Sequence, residues 1–271
     1  MRPFVLLVLL VGCVPLPVYA VQRNARVPHA AVPLRTGQPL AGPVEVTVGA
    51  SNAGDLQQAA PGNHQSADEI PTRQGRGELR FRLGERGELA LIHEHGVDGS
   101  SRQIDPTQAP VGNGDVFGTG FAGRYAIELA PEWSLGVELE MLGWHVPWVE
   151  FRTCVENCPP NPMTTVEHGA DTVATIGFGL TPSYKTGPFT AFGGLFVRNH
   201  PTITRKDKEV FDDLDGDGDV EGGPANLLLH AGFAYELGGG VSALVLVHQD
   251  VTRDPVAYGP GVGLALSASL R

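Results

Sequence analysis

The chain has 271 residues, with 30 acidic side chains against 19 basic ones and a formal charge of -11. That surplus of carboxylates excludes sequence-independent nucleic-acid binding, which needs Lys and Arg to neutralise phosphates. A mean hydropathy of -0.04 argues against a bundle of membrane helices, and so does the lack of any apolar run of about 20 residues beyond the N-terminus.

The N-terminus reads as an export signal. Arg2 is followed by the apolar stretch Phe4 to Val11, by the helix breakers Pro15 and Pro17, and by Val18-Tyr19-Ala20 as an A-x-A-like cleavage site. Residues 1–20 are the signal peptide on this reading. Leu10-Val11-Gly12-Cys13 also resembles a bacterial lipobox, in which Cys13 would be lipidated after cleavage just before it. Both routes imply export, and both take Cys13 out of the thiol count. Cys154 and Cys158 then remain as an even pair in an oxidising compartment, and read as a small disulfide loop.

Residues 21–43 carry Pro28, Pro33, Pro39 and Pro43 and read as an irregular periplasmic lead-in, or part of a plug. From residue 44 a period of two sets in. Val44, Val46 and Val48 alternate with Glu45 and Thr47, and after a polar loop Leu79, Phe81 and Leu83 alternate with Glu78, Arg80 and Arg82. Glu85-Arg86-Gly87 connects this run to a returning strand over Glu88 to His95.

The clearest pattern follows. Phe117 to Leu129 puts Phe117, Phe121, Tyr125, Ile127 and Leu129 on one face. The other face has Gly118, Gly120, Ala122, Arg124, Ala126 and Glu128. Trp133, Leu135, Val137, Leu139 and Met141 then alternate with Ser134, Gly136, Glu138 and Glu140. Successive strand residues point to opposite faces, so each run has one apolar face and one small or charged face. About ten alternating residues suit a strand that crosses a bilayer at a tilt.

Residues 145–169 read as loop. Thr172 to Leu180 alternates again, Thr181 to Pro188 reads as a turn, and Phe189 to Arg198 has no clear phase because Phe192 and Phe196 oppose Phe189 and Leu195. An acidic loop covers 199–225. Leu227 to Leu237, Val241 to His248 and Tyr258 to Leu270 complete about ten strands.

Connections alternate long and short, the asymmetry of short periplasmic turns and long outer loops. Residues 44–271 therefore read as an all-β, antiparallel, up-and-down transmembrane barrel. On strand pattern and loop asymmetry the chain resembles the small bacterial outer-membrane β-barrel proteins. The resemblance implies contact with outer-membrane lipid, delivery by the barrel-assembly machinery and loops offered to an unassigned extracellular partner. Such barrels commonly end in an aromatic residue, whereas this chain ends in Ser269-Leu270-Arg271. A lipid-anchored soluble β-sandwich is the competing architecture, since its strands also alternate.

The inward face is expected to gather Arg80, Arg82, Arg124, Glu88, Glu128, Glu138, Glu140 and Glu236. In a narrow barrel these charges must pair, either filling the lumen or lining a narrow, porin-like channel that favours cations. Asp213, Asp215, Asp217 and Asp219, with Gly218 between the last two, match the front half of a calcium loop, but the closing Glu position is Pro224. Calcium is the one cofactor this chain suggests. His93, His95, His145, His168, His200, His230 and His248 fall near the predicted outer rim, and Asp250 follows His248 by two residues. A rim-site hydrolase is the enzymatic alternative, although no G-x-S-x-G, H-E-x-x-H or P-loop sequence supports catalysis.

Overall fold

The computed structural model describes residues 18–28, 31–52, 56–58, 67–69, 73–97, 114–157, 163–203, 220–252, 256–258 and 260–270. Ten antiparallel strands form the barrel: β1 (Val44–Asn52), β2 (Arg73–Leu83), β3 (Gly87–Val97), β4 (Phe117–Ala130) and β5 (Trp133–Glu156) make one half. The other half is β6 (Met163–Thr186), β7 (Phe189–Ile203), β8 (Val220–Gly238), β9 (Val241–Asp250) and β10 (Gly261–Leu270). Each strand pairs with its neighbour in sequence, and β10 pairs with β1 through Leu270↔Val44 to Gly263↔Ser51. Closure of the single sheet removes its edges and rules out the sandwich, which needs two facing sheets.

Four tight turns lie at one end. Gly187, at φ 58°, and the run Gly238-Gly239-Gly240, at 95°, 64° and 84°, adopt a left-handed backbone that a side chain would strain. The long connections all lie at the other end. Large apolar side chains are exposed on the outward face of every strand, from Val46 and Val48 on β1 to Leu264, Leu266 and Leu270 on β10.

Several strands outrun the sequence reading. β5 continues to Glu156 and β6 begins at Met163, so most of the stretch expected as loop at 145–169 is paired sheet, with Trp148 opposite Gly169. The alternation fades from Val146 to Val149 because all four residues are buried, so neither face is exposed. Residues Thr181 to Thr186, expected as a turn, are also strand, and Pro182 pairs with Leu135. Tyr258, expected in the last strand, instead belongs to a short strand, Val256–Tyr258, paired with Leu56–Gln58.

The missing phase of β7 has a packing cause. Phe192 and Phe196 point inward and are buried, while Phe189 is exposed. Inward glycines leave room for the rings: a Cβ on Gly179 would come within 2.9 Å of Phe196, and one on Gly232 within 2.7 Å of Phe192. Both faces of β7 are apolar, so no alternation is visible.

The N-terminal part differs most from expectation. Val18–Arg26 forms a strand antiparallel to the upper half of β5, from Val18↔Glu156 to Ala25↔Trp148, and its other edge takes Ala67–Glu69 in parallel. It stands at the long-loop end. From there the chain descends to Pro43, whose carbonyl accepts a hydrogen bond from Arg82 N at the short-turn end. Residues 31–43, expected as a periplasmic lead-in or part of a plug, thus cross the barrel through its lumen. Prolines 28, 33, 39 and 43 keep this segment out of the sheet, since they cannot donate to a ladder.

Candidate functional site

The lumen has two unlike walls. Strands β1 to β5 point carboxylates and guanidiniums inward at alternate positions. Arg76 donates to Glu78 at 2.5 Å, to Glu140 at 2.6 Å and to Glu94. Arg198, reaching across from β7, donates to Glu94 at 3.1 Å and lies 3.5 Å from Glu140. Arg80 joins Glu78 at 2.6 Å to Glu45 at 3.0 Å, and Arg124 lies 3.5 Å from Glu88. Gln74 adds an amide donor to Glu94 at 2.5 Å. Buried charges are tolerated only when paired and hydrogen-bonded, and here each carboxylate has a guanidinium within reach.

Strands β6 to β10 supply the other wall. Phe192, Phe196, Leu228, Leu244, Leu246 and Ala265 are buried on it. Trp144, fully buried, links the two walls. Its Nε1 donates to Thr175 Oγ1 at 3.0 Å, and the Arg198 guanidinium carbon lies 5.2 Å from its ring centroid.

Between the walls runs the crossing segment. The chain bends at Leu34, and Leu34 and Arg35 face opposite walls. Leu34 lies against β1 and β10, where a Cβ on Gly263 would come within 2.7 Å of its Cδ2. Arg35 turns to the ionic wall, donating from Nε to Glu138 at 2.9 Å with Nη1 3.5 Å from Glu88. Two residues on, the backbone N of Gly37 donates to Ser183 Oγ at 2.6 Å, and the Gln38 carbonyl accepts from Arg124 at 3.1 Å. Ala31, Val32 and Leu34 are buried with Arg35. The segment therefore touches six strands around the ring, which is possible only from inside.

Arg80, Arg124, Glu88, Glu138 and Glu140 lie in this network. Arg82, Glu128 and Glu236 share its face but not its place. They sit past the lumen at the short-turn end, where Arg82 is exposed, Glu128 pairs with Arg86 at 3.0 Å and Glu236 pairs with Lys185 at 2.6 Å. Parity sets the direction of a side chain, whereas its height along the strand sets whether lumen or water receives it. Glu45, Arg76, Glu78, Glu94 and Arg198 were absent from the expected set. The first four stand on inward positions of alternating strands and could have been added by the same parity; Arg198 was hidden by the phase of β7. No periodicity pointed to Arg35.

The histidines divide between two faces. His230 and His248 pair across β8 and β9, point inward and are buried. Asp250 is occupied by Asn226 Nδ2 at 2.6 Å, Thr252 N at 2.9 Å and Thr252 Oγ1 at 2.5 Å. His93, His95, His145 and His168 lie on outward positions. The rim cluster on which a hydrolase would depend is thus split by the barrel wall. The side chains of Cys154, Cys158 and His200, together with Cys13 and Asp213 to Asp219, lie outside the described residues.

Outside, the apolar band ends at the short-turn side in aromatic pairs. Trp133 lies 5.0 Å from Tyr184 and Phe189 lies 4.7 Å from Tyr235, ring centroid to centroid. A closed sheet with an apolar outer band, an interfacial aromatic girdle and a charged interior is built for lipid outside and polar groups within. The chain has the fold of an outer-membrane β-barrel.

No protein-family model matches this chain, and no curated protein matches its sequence. Among solved structures, the translocator domain of the autotransporter NalP from Neisseria meningitidis is similar, with a TM-score of 0.49 and 13% identity over 85% of this chain and 90% of that one. The KdgM porin aligns with a TM-score of 0.36 and 6% identity over 84% and 99%. The N-terminal β-barrel domain of Pseudomonas aeruginosa OprF aligns with a TM-score of 0.32 and 9% identity over 82% and 96%.

Proposed function

We propose that this barrel is held shut by its own N-terminal segment and works at the outer surface as a structural and interaction scaffold, not as an open channel. The observation that carries the reading is the Leu34-Arg35 wedge, which meets an apolar wall with one side chain and an ionic wall with the next. The tall β5–β6 hairpin supports the surface role. Above His145, the residues from Val146 to Glu156 rise on the order of 25 Å along a tilted strand, flanked by Val18–Arg26.

Planar-bilayer recording tests the closed state. Native protein should give no current steps, and deletion of residues 21–42 should open stepped conductance. Without Arg35 the ion-paired lumen residues are Arg76, Arg80, Arg124 and Arg198 against Glu45, Glu78, Glu88, Glu94, Glu138 and Glu140, four against six. The opened pore should therefore prefer cations. Equal conductance from native and deleted protein would reject the plug and favour the narrow-channel reading.

A further inference from the structure

The outer face carries a band that the lumen does not explain. On β2 to β6 the cross-strand rows descend regularly. One row is Gly75, His95, Phe117, His145 and Thr172; the next is Gly77, His93, Thr119, Gly143 and Ala174. Below them comes Leu79, Leu91, Phe121, Met141 and Ile176. Leu91 is 52% exposed, Phe121 49%, Met141 39% and Ile176 54%, as expected of side chains that face acyl chains.

The imidazole rows close this apolar band at its long-loop edge. From Leu129, the last outward apolar residue of β4 at the short-turn end, to Phe117 is twelve positions along the strand. At about 3.4 Å per residue and a tilt of about 40°, that is on the order of 30 Å, about the thickness of a bilayer's hydrocarbon core. At the short-turn edge Trp and Tyr occupy this level; here His93, His95 and His145 do. The rings form one continuous surface. His93 and His95 stack with centroids 6.4 Å apart, His93 lies 6.2 Å from Phe117, and Phe117 lies 4.9 Å from His145. His93 Nδ1 is 3.1 Å from Thr119 Oγ1, which fixes that ring.

A permanent cation stands beside them. Arg73 is exposed on an outward position of β2, opposite Val97, and is thus the diagonal neighbour of His95. Imidazole offers N–H donors, and guanidinium binds phosphate through paired N–H groups. Among the described residues, Asp115, two residues before Phe117, is an exposed carboxylate beside this row.

We propose that Arg73, His93, His95 and His145 form a binding site for the phosphate of an outer-leaflet lipid. The occupant follows from what lies below. A molecule resting on these imidazoles also covers Leu91, Phe121 and Met141, so it carries acyl chains under its anionic group. A free anion would leave that surface bare. The site is independent of whether the lumen conducts.

Native mass spectrometry of the full mature barrel in detergent tests it with two lipids of the same acyl chains, phosphatidic acid and diacylglycerol. Native protein should retain phosphatidic acid about tenfold more strongly than diacylglycerol. The variant Arg73→Gln/His93→Gln/His95→Gln/His145→Gln should bind both alike, and Arg73→Lys alone should keep most of the preference. Heat-modifiable migration on a gel verifies that each variant is folded. An unchanged lipid ratio in the folded fourfold variant would overturn the proposal. Displacement of phosphatidic acid by inorganic phosphate alone would overturn the lipid as the occupant.

Discussion

The two walls of the lumen solve the same problem in different ways. On β1 to β5, inward positions carry long charged side chains that meet one another at the centre, as Arg76 meets Glu78, Glu94 and Glu140. On β7, inward Phe192 and Phe196 find room over inward glycines of the neighbouring strands, Gly232 on β8 and Gly179 on β6. The ionic wall depends on complementary charge and the apolar wall on complementary volume. The crossing segment, bent at Leu34, turns Leu34 to one wall and Arg35 to the other, so it satisfies both at once.

The largest way to break the comparison lies at the densest node of the ionic wall. Glu94→Ala leaves Arg76 and Arg198 short of a buried carboxylate, and removal of one partner from such a pair costs about 3–5 kcal/mol. Its thermal unfolding, followed by gel mobility without boiling, should shift well below that of native protein. Arg35→Glu comes next. Like charges would then face Glu138 and Glu88, the segment should leave the lumen, and planar bilayers should show current where native protein shows none.

On the apolar wall the expected effect is steric and smaller. Gly179→Val would press on Phe196, and overpacking of this kind costs about 1–3 kcal/mol. A matching Phe196→Leu change should recover part of the loss in a double-mutant cycle. The smallest effect sharpens the boundary of the site. Glu236→Gln removes a pair with Lys185 whose side chains are 53% and 42% exposed, and exposed pairs contribute at most about 1 kcal/mol before screening. If Glu236→Gln destabilised as much as Glu94→Ala, height along the strand would not separate lumen from rim.

Much of the fold was legible because lipid contact imposes a period of two. Phe117 to Leu129 and Trp133 to Met141 declare both their strands and their outward faces, and the long and short connections declare the up-and-down order. Legibility fails where that constraint lapses. Val146 to Val149 is strand without alternation because all four residues are buried, and β7 is strand without alternation because its inward face is apolar as well. The site was half legible: parity placed Arg80, Arg124, Glu138 and Glu140, but the same parity misplaced Arg82, Glu128 and Glu236 at the rim.

By itself, then, the sequence determined the up-and-down architecture, the membrane-facing surface and the direction of the charged residues on the alternating strands, since these follow from local alternation and turn length. Only the tertiary structure decided what fills the lumen. Arg35 belongs to Glu138 and Glu88 through a sequence separation of 103 in the closer pair, and a segment without period or propensity takes its place from the shape and charge of the cavity around it. Contacts of that kind arise from closure of the barrel, so no local pattern can encode them.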